Sequence, residues 1–576
     1  MRPSAQLALV AVACATAGQG QSQKPISSED QGVRGSPFTE EYEKHVGKLL
    51  EEWHVPGVAV GIVDGDNIWT EGFGIATFPS TPVTPSTLFY CASTSKAFTA
   101  AALSIMIDSG NYTTPAVHGQ KLSWTTKIHH LVPDDFVLTD PWATTHITLE
   151  DALSHRTGLP RHDKASTHRV VETVADSNRI TTTEKRTATV RDGVRFLRYL
   201  PLNAAPRTKW QYCNQMYVVA THVVQTLTGG RWLGDLLKEW IWTPLGMRST
   251  YFSLPDALAA PEHFAAGYVW DEARGNFSAV PYMPVDEIGG AGSVISNVED
   301  YTRWIRSLLR ETGPLGPGGH GAVKTPRAIV SPKDALPSLA GRPPYDGPVM
   351  YALGWETTSY RGHRFWMHAG GMHAYGAEVF FFPDLDFGVV ALGNTAGTSN
   401  FVELLLVWEL IDDRLGVPES ERYDWRASFT KLRKLLKQKV SNAIENYYPN
   451  RPKDPIPPAL PLKAYTGTYF HPGYLNITIE LVEDKHKTRS DRAVFTATRP
   501  DATWPTYNEF EHVSGEYWMM FQHTLDQPGG VSEREYAPVE FRVGPDGEAD
   551  ALGVTWISVG ASEDTIEGLV WFERVE

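Results

Sequence analysis

The spacing of apolar positions divides the chain into recognisable elements. From Glu40 to Trp53, Tyr42, Val46, Leu49, Leu50 and Trp53 recur at helical spacing, and His54-Val55-Pro56-Gly57 ends the run. Val58–Val63 is an unbroken apolar stretch of strand length, Asp64-Gly65-Asp66-Asn67 makes a turn, and Ile68–Ile75 returns as the second arm of a hairpin. An aromatic, turn-like stretch from Leu88 then becomes a small-residue helix that runs through Ala101, Leu103, Ile105 and Met106 to Ser109-Gly110. Further helices are expected over 147–153, 193–200, 218–227, 232–242, 298–310 and from Leu404 to Ile411. Ala377–Phe382 and Phe387–Leu392 read as two strands joined by Pro383-Asp384-Leu385-Asp386. Two stretches break the pattern: 161–192 is polar and patternless, an insertion or lid, and 313–347 is rich in Gly and Pro and reads as loop.

A change of pattern marks a boundary. The charged helix Trp425–Tyr447 runs into Pro449, Pro452, Pro455, Pro457, Pro458 and Pro461, a density that fixes an extended spacer. Beyond it, stretches beginning at Tyr465, Asn476, Arg492, Glu516, Pro538 and Gly568 alternate like short strands separated by turns, the pattern of a small β-barrel or sandwich. A length of 576 residues suits such a multidomain arrangement.

Charge and the N-terminus narrow the setting. A net charge of -15, with no basic run of the kind that tracks phosphates, argues against nucleic acid and anionic lipid surfaces as partners. Arg2, the apolar run Leu7–Ala15 and the small residues Ala15-Thr16-Ala17 have the form of a signal peptide over 1–17, followed by a polar leader over 18–37. No later segment is long and apolar enough to span a bilayer, so a secreted, extracellular protein is expected. Sequons at Asn111, Asn276 and Asn476 fit secretion with N-glycosylation. Loss of Cys14 with the signal would leave Cys91 and Cys213, too few for a disulfide framework or a cysteine zinc site. Buried free thiols are expected there, with a bridge between the two as the alternative.

Candidate chemistry begins at Ser93-Thr94-Ser95-Lys96. Residues three apart share a helix face, so the Ser93 hydroxyl and the Lys96 amine can meet. A buried lysine loses its proton readily and can activate a serine as nucleophile. Tyr212-Cys213-Asn214 and His368-Ala369-Gly370 follow in order, each beside a predicted element. Gly-x-Ser-x-Gly and His-Glu-x-x-His are missing from the sequence, and neither phosphate-loop nor dinucleotide glycine patterns follow a predicted strand, so no metal or organic cofactor is expected.

These three motifs resemble those of the serine β-lactamase and penicillin-binding-protein superfamily, in its class C-like branch of peptidase S12 type hydrolases and esterases. His54-Val55-Pro56-Gly57, Leu153 to Pro160, the loop Gly289 to Ser293, and His368 to Gly371 leading to Asn394 extend the likeness over about Phe38 to Leu415. The resemblance implies an α+β catalytic domain (38–423) with helices on an antiparallel sheet, a helix and Pro-rich linker (424–461), and a lipocalin-like all-β barrel (462–576). It implies Ser93 as acyl acceptor, Lys96 as its deprotonating neighbour, and Tyr212 as shared acid and base with a phenol pKa depressed by Lys96. Asn214 would bond the substrate and Lys96, and Gly370 would let its strand approach the substrate. An oxyanion hole would come from the N–H groups of Ser93 and Gly371.

Two departures bear on substrate. Cys213 replaces a frequent serine, and His368 stands where many relatives have lysine. A histidine titrating near pH 6–7 holds a substrate carboxylate less firmly than a permanent cation. The expected substrate is therefore a small-molecule ester, amide or peptide rather than a β-lactam. A transacylase using the same site and a non-catalytic binding protein remain the alternatives, and the sequence does not fix an oligomeric state. His155 and His373 read as structural or pocket-lining, Trp355 as cleft wall or core, and Asp286 and Glu287 as rim charges. The barrel would cover the cleft, bind substrate or serve as a stabilising addition.

Overall fold

The computed structural model describes residues 35–575, apart from 118, 176–180, 273, 331–342, 484–487, 489, 526–534 and 557–567. The expected signal peptide and most of the polar leader lie outside the described residues. Strand Gly57–Asp64 is buried and without polar side chains up to Val63 because both of its faces are covered. Val58, Val60 and Ile62 pack with Val46, Leu49 and Trp53 of helix Glu40–Trp53 and with Phe401, Leu405 and Trp408 of helix Ser399–Arg414. Ala59 and Val63 belong to the core on the other side, with Val298, Tyr301 and Ile305 of helix Val298–Arg310.

Around this strand the described residues form a nine-stranded antiparallel sheet. Its order is Ala328–Ile329, Met350–Tyr351, Glu356–Tyr360, His363–Met372, Tyr375–Phe382, Phe387–Gly393, Gly57–Asp64, Asn67–Thr77 and Thr81–Pro82. Buried Asn394 ties the sheet to its surroundings: Oδ1 accepts from Gly57 N–H at 2.9 Å, and Nδ2 donates to the carbonyls of Ile75, Ala76 and Ala266. Helix Ser95–Ser109 is buried along most of its length among the other helices.

The 313–347 stretch departs from its loop expectation, because Pro317–Lys324 is a helix. Its glycines are what let it form there. A Cβ at Gly319 would lie 3.0 Å from Ser104 Oγ and 3.1 Å from Asp108 Oδ2, so only a bare backbone approaches the Ser95–Ser109 helix this closely. The polar stretch after Arg161 holds a hairpin, Arg169–Ala175 with Thr181–Thr187, in the register Arg169↔Thr187.

Downstream, the charged helix is divided at Asn442 into Trp425–Ser441 and Ala443–Tyr447. Eight antiparallel strands from Gly467 to Arg574 then close into a barrel, the first pairing with the last through Tyr469↔Arg574. Two of the eight, Thr506–Ser514 and Ala549–Val554, are not evident from alternation. Strand Thr506–Ser514 buries Asn508, Glu509 and Glu511 inside the protein, and those polar side chains erase the expected signal.

Candidate active site

The nucleophile candidate sits on a forced turn. Phe89–Tyr90 is a two-residue strand paired to Ile295–Ser296, and Cys91 N–H donates to the Val294 carbonyl at 2.9 Å. Ala92 then takes a left-handed conformation with φ 46°, costly for a residue with a side chain, and opens the single 3₁₀ turn Ala92–Thr94 before the long helix starts at Ser95. The two neighbouring hydroxyls secure this turn. Ser95 Oγ donates to the Ala92 carbonyl at 2.6 Å and accepts from Val294 N–H at 3.0 Å, while Thr94 Oγ meets Tyr301 OH at 2.6 Å. Of the three hydroxyls in Ser93-Thr94-Ser95, only that of Ser93 belongs to a residue that is not fully buried.

Lys96 lies one helical turn on and is fully buried. Its Nζ stands 3.1 Å from Ser93 Oγ and donates to the Ala291 carbonyl at 2.7 Å. The Gly289–Gly290 loop delivers that carbonyl. A Cβ on Gly290 would fall 2.0 Å from Thr99 Oγ1, so glycine is needed for the loop to reach the helix. Burial, and then the charge of Arg161, hold the Lys96 amine well below its ordinary pKa. Its Nζ also lies 4.9 Å from the Tyr212 ring centre and 5.4 Å from that of Tyr217.

Tyr212 reaches the same point from a second element. Its phenol is hydrogen-bonded to Ser93, but burial outweighs that bond and the Arg161 charge, and the pKa is raised. The expected depression by Lys96 therefore gives way to a neutral phenol. A neutral Lys96 supplies no field to offset the loss of solvent. His155, expected to be structural or pocket-lining, is structural: its Nδ1 accepts Cys213 N–H at 3.0 Å and its ring lies 4.3 Å from that of Tyr212.

Three further expectations are corrected by geometry. The Asn214 amide turns to Asp163, donating from Nδ2 to Oδ1 at 2.9 Å, instead of to Lys96. His368 is buried with both ring nitrogens engaged. Nδ1 donates to its neighbour's carbonyl on Ala369 at 2.7 Å, and Nε2 accepts from Tyr351 OH at 3.0 Å. Burial pushes its pKa down to about 3, so it stays neutral across the range in which it was expected to titrate. Gly370 makes its close approach to protein rather than to open cleft: a Cβ there would lie 2.4 Å from the Cys91 carbonyl oxygen. The next residue, Gly371, is exposed, on a stretch of strand edge left free because the neighbouring strand pairs only as far as Met367.

Other candidates fall outside the cleft. Trp355 is core, edge-on to Phe381 at 5.0 Å. Glu287 is a buried contact to the barrel rather than a rim charge, accepting from Thr503 Oγ1 at 2.5 Å and facing His168 Nδ1 at 2.7 Å. Asp286 is exposed. Cys91 and Cys213 are buried free thiols, with burial raising the Cys91 pKa to about 12.

Two residues outside the three motifs pack against Tyr212 and Asn214. The Arg161 guanidinium lies 4.8 Å from the Tyr212 ring centre, and its Nε donates to Asp163 Oδ2 at 3.0 Å. Both open the stretch that reads as patternless. The charged triplet Arg161-His162-Asp163 directly after Gly158-Leu159-Pro160 is the signal that marks them in the sequence. Among the described residues, no cluster of side chains suits a metal ion, and no helix is long and apolar enough to cross a membrane.

The family model described as Beta-lactamase matches residues 42–411, and a domain of unknown function, DUF3471, matches residues 451–574. The chain is 39% identical over 524 residues to the unguisins hydrolase ungD' of Aspergillus campestris, covering 91% of this chain and 90% of that protein. It is 25% identical over 402 residues to a D-aminopeptidase of Gluconobacter oxydans, covering 67% and 64% of the two chains. The octameric penicillin-binding protein homologue from Pyrococcus abyssi shares the fold, with a TM-score of 0.54 at 16% identity over 92% of this chain and 99% of that one. With the serine–lysine turn, the antiparallel sheet and the family match in agreement, the chain belongs to the β-lactamase family of serine hydrolases.

Proposed function

We propose that the protein hydrolyses an amide bond in a peptide-like small molecule through an acyl-Ser93 intermediate. The observation that carries this reading is the buried Lys96 amine 3.1 Å from Ser93 Oγ. A neutral amine has a lone pair for the Ser93 proton, so the alkoxide need exist only as it attacks the carbonyl. The N–H groups of Ser93 and Gly371 hold the oxyanion of the tetrahedral intermediate. Tyr212, a neutral phenol bonded to Ser93, relays the proton to the leaving nitrogen. Water then attacks the acyl-enzyme by the reverse relay, and Asn214 lines the substrate's path.

The amide preference rests on the site and on the names of the relatives. His368 is neutral and Arg161 is ion-paired to Asp163, so neither offers a free cation to a β-lactam carboxylate. The named relatives are a hydrolase of unguisins and a D-aminopeptidase. A fluorophosphonate probe should label the wild type and not Ser93→Ala. D-amino acid amides should be turned over in preference to p-nitrophenyl esters and a chromogenic cephalosporin. An unlabelled wild type, or turnover of the cephalosporin alone, would sink the reading.

The same reading includes secretion. The signal-like residues 1–17 and the exposure of all three sequon asparagines support it. Protein recovered from culture medium should begin after Ala17 and lose mass on treatment with an N-glycosidase. Retention in the cell with an intact N-terminus would exclude it.

A further inference from the structure

The stretch between Arg161 and His168 has two sets of partners. At its far end it is built into the barrel. His168 N–H donates to the Asp501 carbonyl at 2.8 Å, Thr503 N–H donates to the Ser166 carbonyl at 3.1 Å, and Thr167 Oγ1 donates to the Asp501 carbonyl at 2.6 Å. At its near end it touches the reacting groups, with Arg161 against Tyr212 and Asp163 holding the Asn214 amide. A carboxylate can only accept, so Asp163 fixes which end of that amide is nitrogen and which way its carbonyl points.

Between the two ends is His162, buried and held at φ 47°, a left-handed conformation uncommon for residues with a side chain. Its imidazole is pinned from opposite sides. Nε2 donates to the Pro201 carbonyl of the catalytic domain at 2.8 Å, which leaves Nδ1 as the acceptor for the Tyr474 hydroxyl of the barrel at 2.6 Å. Tyr474 is itself rigid. Its ring stacks on Trp556 at 5.4 Å and 3°, and its carbonyl accepts from the buried Arg499 guanidinium at 2.6 Å.

We propose that the barrel is a working part of the active site: the Tyr474 hydroxyl, acting through His162, positions Arg161 and Asp163 against Tyr212 and Asn214. Tyr474 and His162 are positioning residues. Neither touches the reacting atoms, and each acts through the strap that does. The consequence is electrostatic. Lys96 is faced by Arg161 and Asp163 from the strap, by Tyr212, Cys213 and Tyr217 from the neighbouring elements, by His155, and by His368 from the sheet edge. Of the charged groups, Arg161 weighs most after burial itself. A loosened strap withdraws that charge and admits water, and both changes raise the pKa of Lys96. Loss of Asp163 acts oppositely, with the smaller weight.

The proposal rests on Ser93 being the acylated residue, and a labelling experiment separates the two claims. The rate of fluorophosphonate labelling is measured from pH 5 to 10 for the full-length wild type, Ser93→Ala, Tyr474→Phe and Arg161→Gln. Tyr474→Phe keeps the stacked ring and removes one oxygen. The acid limb of its profile is expected to move to higher pH, and each whole pH step it moves slows labelling on that limb by on the order of tenfold. Arg161→Gln is expected to move the limb in the same direction, and it does so without touching the barrel. A Tyr474→Phe protein with reduced thermal stability but a wild-type profile would make the barrel a stabiliser only and overturn the proposal. An unmoved Arg161→Gln profile would overturn it equally, whatever the folding of Tyr474→Phe. If the wild type itself fails to label, it is the acyl-serine reading that falls.

Discussion

Lys96 Nζ lies 2.7 Å from the Ala291 carbonyl and 3.1 Å from Ser93 Oγ, two uncharged partners. A lysine so placed has exchanged water for one carbonyl and a hydroxyl, so its ammonium form is penalised whenever the protein is folded. Unfolding returns it to solvent, where it binds a proton below its ordinary pKa near 10.4. The folded state therefore holds fewer protons at neutral pH, and this group makes the fold more stable as pH rises. Lys96→Met should raise the thermal midpoint at pH 7 while lowering the labelling rate by about 10²–10⁴-fold, the usual worth of a positioned base. A lower midpoint at pH 7 would mean that the ammonium is satisfied in the fold.

Tyr212→Phe isolates the phenol. The ring contacts with His155 and Arg161 survive and the bond to Ser93 is lost. Turnover should fall by about 10²–10⁴-fold with little change in thermal midpoint. Wild-type turnover would remove Tyr212 from the proton relay.

His368→Gln tests the neutral imidazole. Because its pKa lies at about 3, His368 contributes no ionisation between pH 5 and 8. The pH dependence of labelling over that interval should keep its shape in the variant, whatever happens to the absolute rate. Loss of an inflection near pH 6–7 would show that the imidazole does titrate there.

Gly370→Ala drives a methyl group into the Cys91 carbonyl, 2.4 Å away, at the turn that presents Ser93. Overpacking of this kind costs about 1–3 kcal/mol, and here part of it falls on the position of Ser93. Both the thermal midpoint and the labelling rate should drop. An unchanged labelling rate would show that the strand edge and the Ser93 turn move independently.

Glu403 is a buried carboxyl behind the sheet, with Ser399 Oγ donating to Oε1 at 2.6 Å and burial raising its pKa to about 8. A raised carboxyl pKa stabilises the fold below the ordinary value near 4.3, and the benefit is lost as pH rises through about 8. Glu403→Gln should therefore raise the midpoint at pH 8 more than at pH 5. The difference expected is on the order of 1–3 kcal/mol, the cost of an uncompensated buried polar group. Equal changes at the two pH values would refute the buried proton.

The sequence carried the architecture where packing writes itself into periodicity. Helix Glu40–Trp53, strand Gly57–Asp64 and helix Val298–Arg310 follow their apolar patterns closely. The serine, lysine and tyrosine motifs are legible because each sits at an element junction. Glycine and buried polarity hide the rest. Pro317–Lys324 looks like loop because close approach to another helix demands glycine, and Thr506–Ser514 loses its alternation to Asn508, Glu509 and Glu511. Arg161 and Asp163 escape notice for a different reason. Their partners Tyr212 and Asn214 lie 51 positions downstream, and His162 between them bonds Tyr474 312 positions away; no local pattern records such contacts.

That separation along the chain has a consequence for synthesis. The catalytic half emerges from the ribosome first, yet Ser166 and His168 take their backbone partners from residues 501 and 503, and the barrel bearing Tyr474 closes only when Arg574 pairs with Tyr469. A nascent chain that already contains Ser93, Lys96 and Tyr212 still lacks the support for one wall of its cleft. With the barrel positioning the strap as proposed, competence is expected to follow closure of the barrel, which cannot precede synthesis of Arg574.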